Sequence, residues 1–185
     1  NPAGYAALKF TTFSVGATKS NTGFKTDEGS DRASRTTLDY IAVAIPAKRV
    51  GFAFGLMPYS AVGYKINNTT APDPVDGYTR YNEFQGSGGL NRVFGGASWK
   101  INKNFSIGAD FQYYFGEIET RSLTSLPDVS LQYLTRELNT AEYDGISFNT
   151  GAMFQTRINN KWELYMSAAY SSEAKLNSSI NRNLA

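Results

Sequence analysis

The chain has 185 residues, with 18 Lys and Arg against 16 Asp and Glu, and neither Cys nor His. The length supports one domain with a sizeable core. Without Cys there is no disulfide framework or thiolate metal site, and without His the usual general base, zinc ligand and triad partner are missing. A formal net charge of +2 leaves no electrostatic footprint for nucleic acid, and no apolar run reaches the roughly 18 residues that a transmembrane helix requires.

What the sequence carries instead is strict alternation. Phe13, Val15 and Ala17 form a short first set, Ile41, Val43 and Ile45 a second, and Val50, Phe52, Phe54 and Leu56 a third, interleaved with Gly51, Ala53 and Gly55. Val93, Ala97, Trp99 and Ile101 follow, with Phe94 as an exception. In NFSIGADFQYYFGE, residues 104–117, the residues Phe105, Ile107, Ala109, Phe111, Tyr113 and Phe115 share one parity, and Ser106, Gly108, Asp110 and Gln112 the other. Ile146, Phe148, Ala152 and Phe154 oppose Ser147, Asn149 and Gln155; Trp162, Leu164, Met166, Ala168 and Tyr170 close the series. Period-two patterning of this kind reads as two-faced strands. It predicts seven, at about 7–18, 35–46, 49–65, 79–101, 104–120, 137–158 and 161–175. A weak helical pattern lies within 126–140, and the terminal NSSINRNLA reads as a loop-like tail.

The connections sharpen the reading. Ala47-Lys48, Asn102-Lys103 and Asn159-Asn160 suit tight turns, whereas 19–34, 65–80 and about 120–142 read as long polar loops. Alternating short and long connections are the habit of an outer-membrane barrel, and a soluble β-sandwich is the alternative. On the barrel reading Phe52, Phe54, Trp99, Phe105, Ile107, Phe111, Phe115, Trp162 and Leu164 face lipid, and Ser106, Asp110, Gln112, Asn149 and Gln155 face the lumen. An odd strand count implies further strands, or other chains, to complete the wall, because open backbone in lipid is costly.

Other motifs carry less. GSGGLN at 86–91 has the look of a phosphate-binding loop, but a strand follows it where a helix is required, so Gly86, Gly88 and Gly89 are expected to mark a bulge or close backbone approach. Pro58 is expected to kink its strand, the alternative being part of an opening in the wall. Glu117 and Glu119 share a face, yet no base, metal site or nucleophile accompanies them, so they read as a solvated rim. No enzyme activity and no cofactor are expected.

The start, NPAGYAALKFTTFSVGA, resembles the junction between hatch and first strand of FadL-type outer-membrane transporters, through Asn1, Pro2, Ala3, Phe13, Ser14 and Gly16. GLMPYSAVGYKI and GSGGLNRVFGGASWKINKNFSIGADFQYYFG are similar to the branch of that family found in bacteria with type IX secretion. The resemblance implies an all-β antiparallel transmembrane barrel of about 14 strands, of which this chain holds the first half, with residues 1–6 as the hatch junction and 7–185 as barrel. It implies passive uptake of hydrophobic small molecules in the outer membrane, with lateral release into the bilayer. The alternative is a non-transporting barrel subunit of a larger outer-membrane complex, such as a type IX secretion machine. Expected partners are membrane lipid, hydrophobic small molecules and other outer-membrane proteins. The stretch with Leu126, Val129, Leu131, Tyr133 and Leu134 is the candidate loop for binding a partner or admitting a ligand.

Overall fold

The computed structural model describes residues 1–27, 29–72, 74–75, 77–126 and 135–184. A 3-10 helix (Pro2–Ala7) is followed by eight strands: β1 (Thr12–Thr26), β2 (Gly29–Ala47), β3 (Val50–Thr69), β4 (Tyr81–Lys100), β5 (Phe105–Ser125), β6 (Thr135–Arg157), β7 (Glu163–Ser171) and β8 (Lys175–Leu184). They form one sheet in the order β1-β2-β3-β4-β5-β6-β7, and β8 also pairs with β6. The β1–β2, β2–β3 and β6–β7 pairs are antiparallel.

The all-β antiparallel expectation holds. Among the described residues β1 and β7 are not paired to each other, so the sheet is open. Two segments read as irregular are strand. Residues 19–26 pair with 29–36 in continuous register, so the expected first long loop is largely a hairpin. The expected tail is β8, and the described residues form eight strands where seven were expected. Residues 19–36 are mostly polar, and β8 has apolar residues only at every fourth position, Leu176, Ile180 and Leu184, so neither shows period-two alternation; backbone ladders order them. Within 126–140, residues 135–140 are strand, not helix. Val129, Leu131, Tyr133 and Leu134 lie outside the described residues; Leu126 is half-buried just after β5.

The chain divides into two compact units. The first comprises Asn1–Pro58, Arg92–Tyr113 and Ile146–Lys175. Its burial is inverted relative to a water-soluble sheet. Ser98, Ser106, Asp110 and Gln112 are buried, as is Ser147, while Phe52, Phe54, Trp99, Phe111 and Phe148 are exposed. Register explains which residues travel together. Directly opposed residues share a face, so Ala42, Ala44 and Pro46 lie with Gly55, Ala53 and Gly51, and Val43 and Ile45 lie with Phe54 and Phe52. One face is small and polar, the other large and apolar. A bulge at Gly16/Ala17 shifts the β1–β2 register.

The second unit comprises Tyr59–Asn91, Tyr114–Gly145 and Leu176–Ala185. Tyr114 is buried and meets Tyr59 edge-on, with ring centroids 4.9 Å apart. Gly88 has φ +113°, and the Glu117 carbonyl fills the place where a Cβ would go; Gly89 lies similarly against the Ser60 carbonyl. The glycines of GSGGLN therefore serve close backbone approach within β4, and no phosphate loop forms. Pro58 sits within β3. Polar pairs such as Lys65–Glu83 (3.2 Å) and Arg182–Glu137 (3.3 Å) are spread along the remaining length.

Candidate interaction surface

Two features stand on opposite faces of the first unit: a clasp on the polar face and a cleft on the apolar one. The clasp is residues 1–7. Asn1 caps the 3-10 helix by accepting from the Ala3 N–H (3.0 Å), and Pro2 fits the first turn because no partner is needed there for an N–H. Ala3, Gly4, Ala6 and Ala7 are small, which lets the helix lie close against the sheet. Pro2, Ala3 and Ala6 are buried. Glycine makes the contact possible: a Cβ on Gly51 would occupy the Tyr5 backbone, and one on Gly108 the backbone of Pro2 and Ala3.

Hydrogen bonds fix the clasp to three strands. Ser106 Oγ donates to the Ala3 carbonyl (2.9 Å) on behalf of β5. Asn1 Nδ2 donates to the carbonyls of Ala152 in β6 (3.2 Å) and Ala168 in β7 (3.1 Å). Tyr5 donates its hydroxyl to Asp110 Oδ2 (3.2 Å). Gln112 Nε2 donates to the other oxygen, Oδ1 (2.9 Å), and Gln112 Oε1 accepts from Arg92 Nη1 (3.2 Å). Asp110 is thus held from both sides although only 7% exposed. Burial, then the Asp110 charge and this hydrogen bond, push the Tyr5 hydroxyl up to about 12.

The structure brings Asn1, Pro2, Ala3, Ser106, Asp110 and Gln112 together on the polar face. Asn149 and Gln155 share their parity and are half-buried. Gln155 Nε2 donates to the Tyr165 hydroxyl (3.0 Å), and the residue lines a small recess with Ala6 and Ala7 of the clasp. Of the nine residues assigned to lipid, eight are exposed; Phe105 is half-buried beside a short turn. Gly51, Gly108 and Gly151 escaped notice as site residues. Their signal was small residues on one parity of strands whose other parity is aromatic.

The cleft opens on the apolar face. It measures about 720 Å³ and is lined by Val50, Trp99, Ile107, Thr150 and Tyr170 around small residues, chiefly Ala97, Ala109, Ala152 and Ala168. Ala152 and Ala168 are direct cross-strand partners, as are Thr150 and Tyr170. Aromatic walls around an alanine floor make a concave, apolar receptacle. It contains no titratable pair and no metal-ligating cluster; among the described residues no group of three or more potential metal ligands occurs anywhere.

A family model described as BamG matches residues 1–185. The chain belongs to the BamG family. No curated protein and no solved structure matches it. BamG membership places the chain in the bacterial outer membrane, in association with other outer-membrane proteins. It also corrects the sequence-based identification. The FadL-type resemblance rested on short motifs, Asn1-Pro2-Ala3 with Phe13, Ser14 and Gly16, and on segments rich in glycine and aromatic residues that many membrane sheets share; a whole-chain BamG match overturns it. With it falls the reading as a barrel for uptake and lateral release of hydrophobic small molecules, and with that transport and a hydrophobic ligand. BamG membership points to outer-membrane protein assembly, and lends no support to a type IX secretion role. The alternative reading, a non-transporting subunit of an outer-membrane complex, fits this family better.

Proposed function

We propose that this chain is a non-enzymatic accessory subunit of the BAM complex, the outer-membrane protein-assembly machinery, and that it docks on a partner barrel through the cleft on its apolar face. The observation that carries this reading is the combination of inverted burial and local concavity. Trp99 is 54% exposed and Phe111 54%, on a face whose reverse buries Ser106 and Asp110. Such a face belongs against hydrocarbon or another apolar wall. Lipid suits the exposed aromatic side chains of the first unit, Phe52, Phe54 and Phe111. The alanine-floored cleft suits protein, because small residues let backbones and side chains approach closely where no hydrophobic gradient drives association.

The clasp supports the reading from the other side. It covers the polar face with the chain's own residues, held by backbone contacts at Gly51 and Gly108. That leaves the outer wall as the larger recognition surface. The test is to fill the cleft. Ala109→Trp and Ala152→Trp, each made in the full-length protein in its native membrane, should abolish co-purification of the BAM complex while leaving membrane levels unchanged. Phe111→Leu, on the aromatic surface, should leave it intact. Full recovery of the complex with both cleft variants would refute docking at this site.

A further inference from the structure

Charge is distributed unevenly along the chain. The three short connections of the first unit lie around Lys48-Arg49, at 101–104 and at 158–162. With their flanking residues they hold Lys48, Arg49, Lys100, Lys103, Arg157 and Lys161, six of the 18 cations, but one of the 16 carboxylates, Glu163. That carboxylate is committed to Arg157, at 2.8 Å. Among the described residues Lys48, Arg49, Lys100 and Lys103 form no ion pair.

Three of these cations surround one recess of about 270 Å³, lined by Arg49, Lys100, Asn102 and Lys103. Its geometry is fixed by the backbone. The Lys100 N–H donates to the Arg49 carbonyl (2.7 Å), tying two turns together. Asn102 Oδ1 accepts from the N–H groups of Asn104 and Phe105, both at 2.8 Å, so the amide offers the recess its Nδ2 donor. The recess presents donors and positive charge, and no carboxylate lines it. The next residues along the chain are apolar: Val50 follows Arg49 and Trp99 precedes Lys100, and both line the cleft on the apolar face. Trp99 and Trp162, exposed beside the same turns, suit the level of lipid headgroups.

We propose that this recess binds the phosphate headgroup of an anionic phospholipid in the leaflet at the short-turn end, with the acyl chains lying along the apolar face beside Val50 and Trp99. The cations give charge complementarity, the Asn102 amide adds a neutral donor, and the neighbouring apolar wall takes the chains. This proposal is independent of partner docking at the cleft.

The test uses the full-length protein extracted in mild detergent and titrated with phosphatidylglycerol or phosphatidylethanolamine, with retained lipid read by native mass spectrometry. The wild type should retain phosphatidylglycerol preferentially. A combined Arg49→Gln, Lys100→Gln and Lys103→Gln variant should lose that preference, by about fivefold for each cation removed. Lys65→Gln, in the other unit, should keep it, and an unchanged circular-dichroism spectrum and urea midpoint in detergent serve as the check on folding. An unchanged preference in the triple variant would overturn the proposal. So would equal displacement of the lipid by inorganic phosphate, which would mark a free-anion site. A cross-link from Lys103 to an acidic partner that persists under saturating phosphatidylglycerol would likewise overturn it, assigning the recess to protein.

Discussion

Gly108→Ala tests whether the clasp is seated as described. The added methyl meets the Pro2 carbonyl and the Ala3 nitrogen, both backbone atoms of a segment held at either end by hydrogen bonds. No flexible side chain can move aside, so the cost should approach the upper end of the ~1–3 kcal/mol usual for overpacking. At ~3 kcal/mol the equilibrium for lifting residues 1–7 off the sheet shifts by a factor of ~100. The reporter is amide hydrogen exchange at Ala3, Gly4 and Leu8, whose N–H groups are bonded within the clasp. Their exchange should accelerate by about that factor, while amides in the centre of β5 keep their protection. Gly95→Ala is the control, since nothing lies within reach of its Cβ. Exchange at Ala3 that rises less than about threefold in Gly108→Ala, with β5 intact, would refute the close backbone contact.

Further outcomes follow from the same contacts. Tyr5→Phe deletes one hydrogen bond to Asp110 and should loosen the clasp by about 1 kcal/mol, read by the same exchange experiment. The raised Tyr5 value also sets a pH dependence. The hydroxyl's contribution is complete below its ordinary value of 10.0 and is lost as pH climbs through about 12, so Ala3 protection corrected for intrinsic exchange should fall across that window in wild type and not in Tyr5→Phe. Lys48 has φ +57°, a left-handed conformation costing a side chain about 1 kcal/mol, so Lys48→Gly should raise the urea midpoint of the folded protein in detergent. Tyr114→Ala empties a buried aromatic site against Tyr59 and should destabilise by about 3–5 kcal/mol in the same unfolding assay.

Where the two faces of a strand differ, the sequence was readable to the residue. The alternation from Phe105 to Phe115 placed Ser106, Asp110 and Gln112 on the buried side and Ile107 and Phe111 on the exposed one, as found. Where both faces meet a similar environment, periodicity vanishes. Residues 19–26 and 29–35 mix Lys, Ser, Asn, Thr and Arg without a repeat, yet they form a regular hairpin because each backbone group finds a ladder partner. Strand β8 was hidden because its apolar residues, Leu176, Ile180 and Leu184, recur only at every fourth position among polar ones. The clasp was hidden differently: its contacts join residue 1 to residues 152 and 168, and no local pattern encodes such a distance. Family identity was misjudged because glycine-and-aromatic alternation reports a strand's surroundings, not its ancestry.

The reach of Asn1 has a consequence for assembly order. Along the main path each strand neighbours the next in sequence, so hairpins can form progressively with short loop closures. The clasp is the exception. Its amide bridges carbonyls on β6 and β7, at sequence separations of 151 and 167, and those carbonyls come together only when that hairpin exists. The first residues of the chain are therefore among the last to find their place, and their docking acts as a latch that closes once β7 has been added.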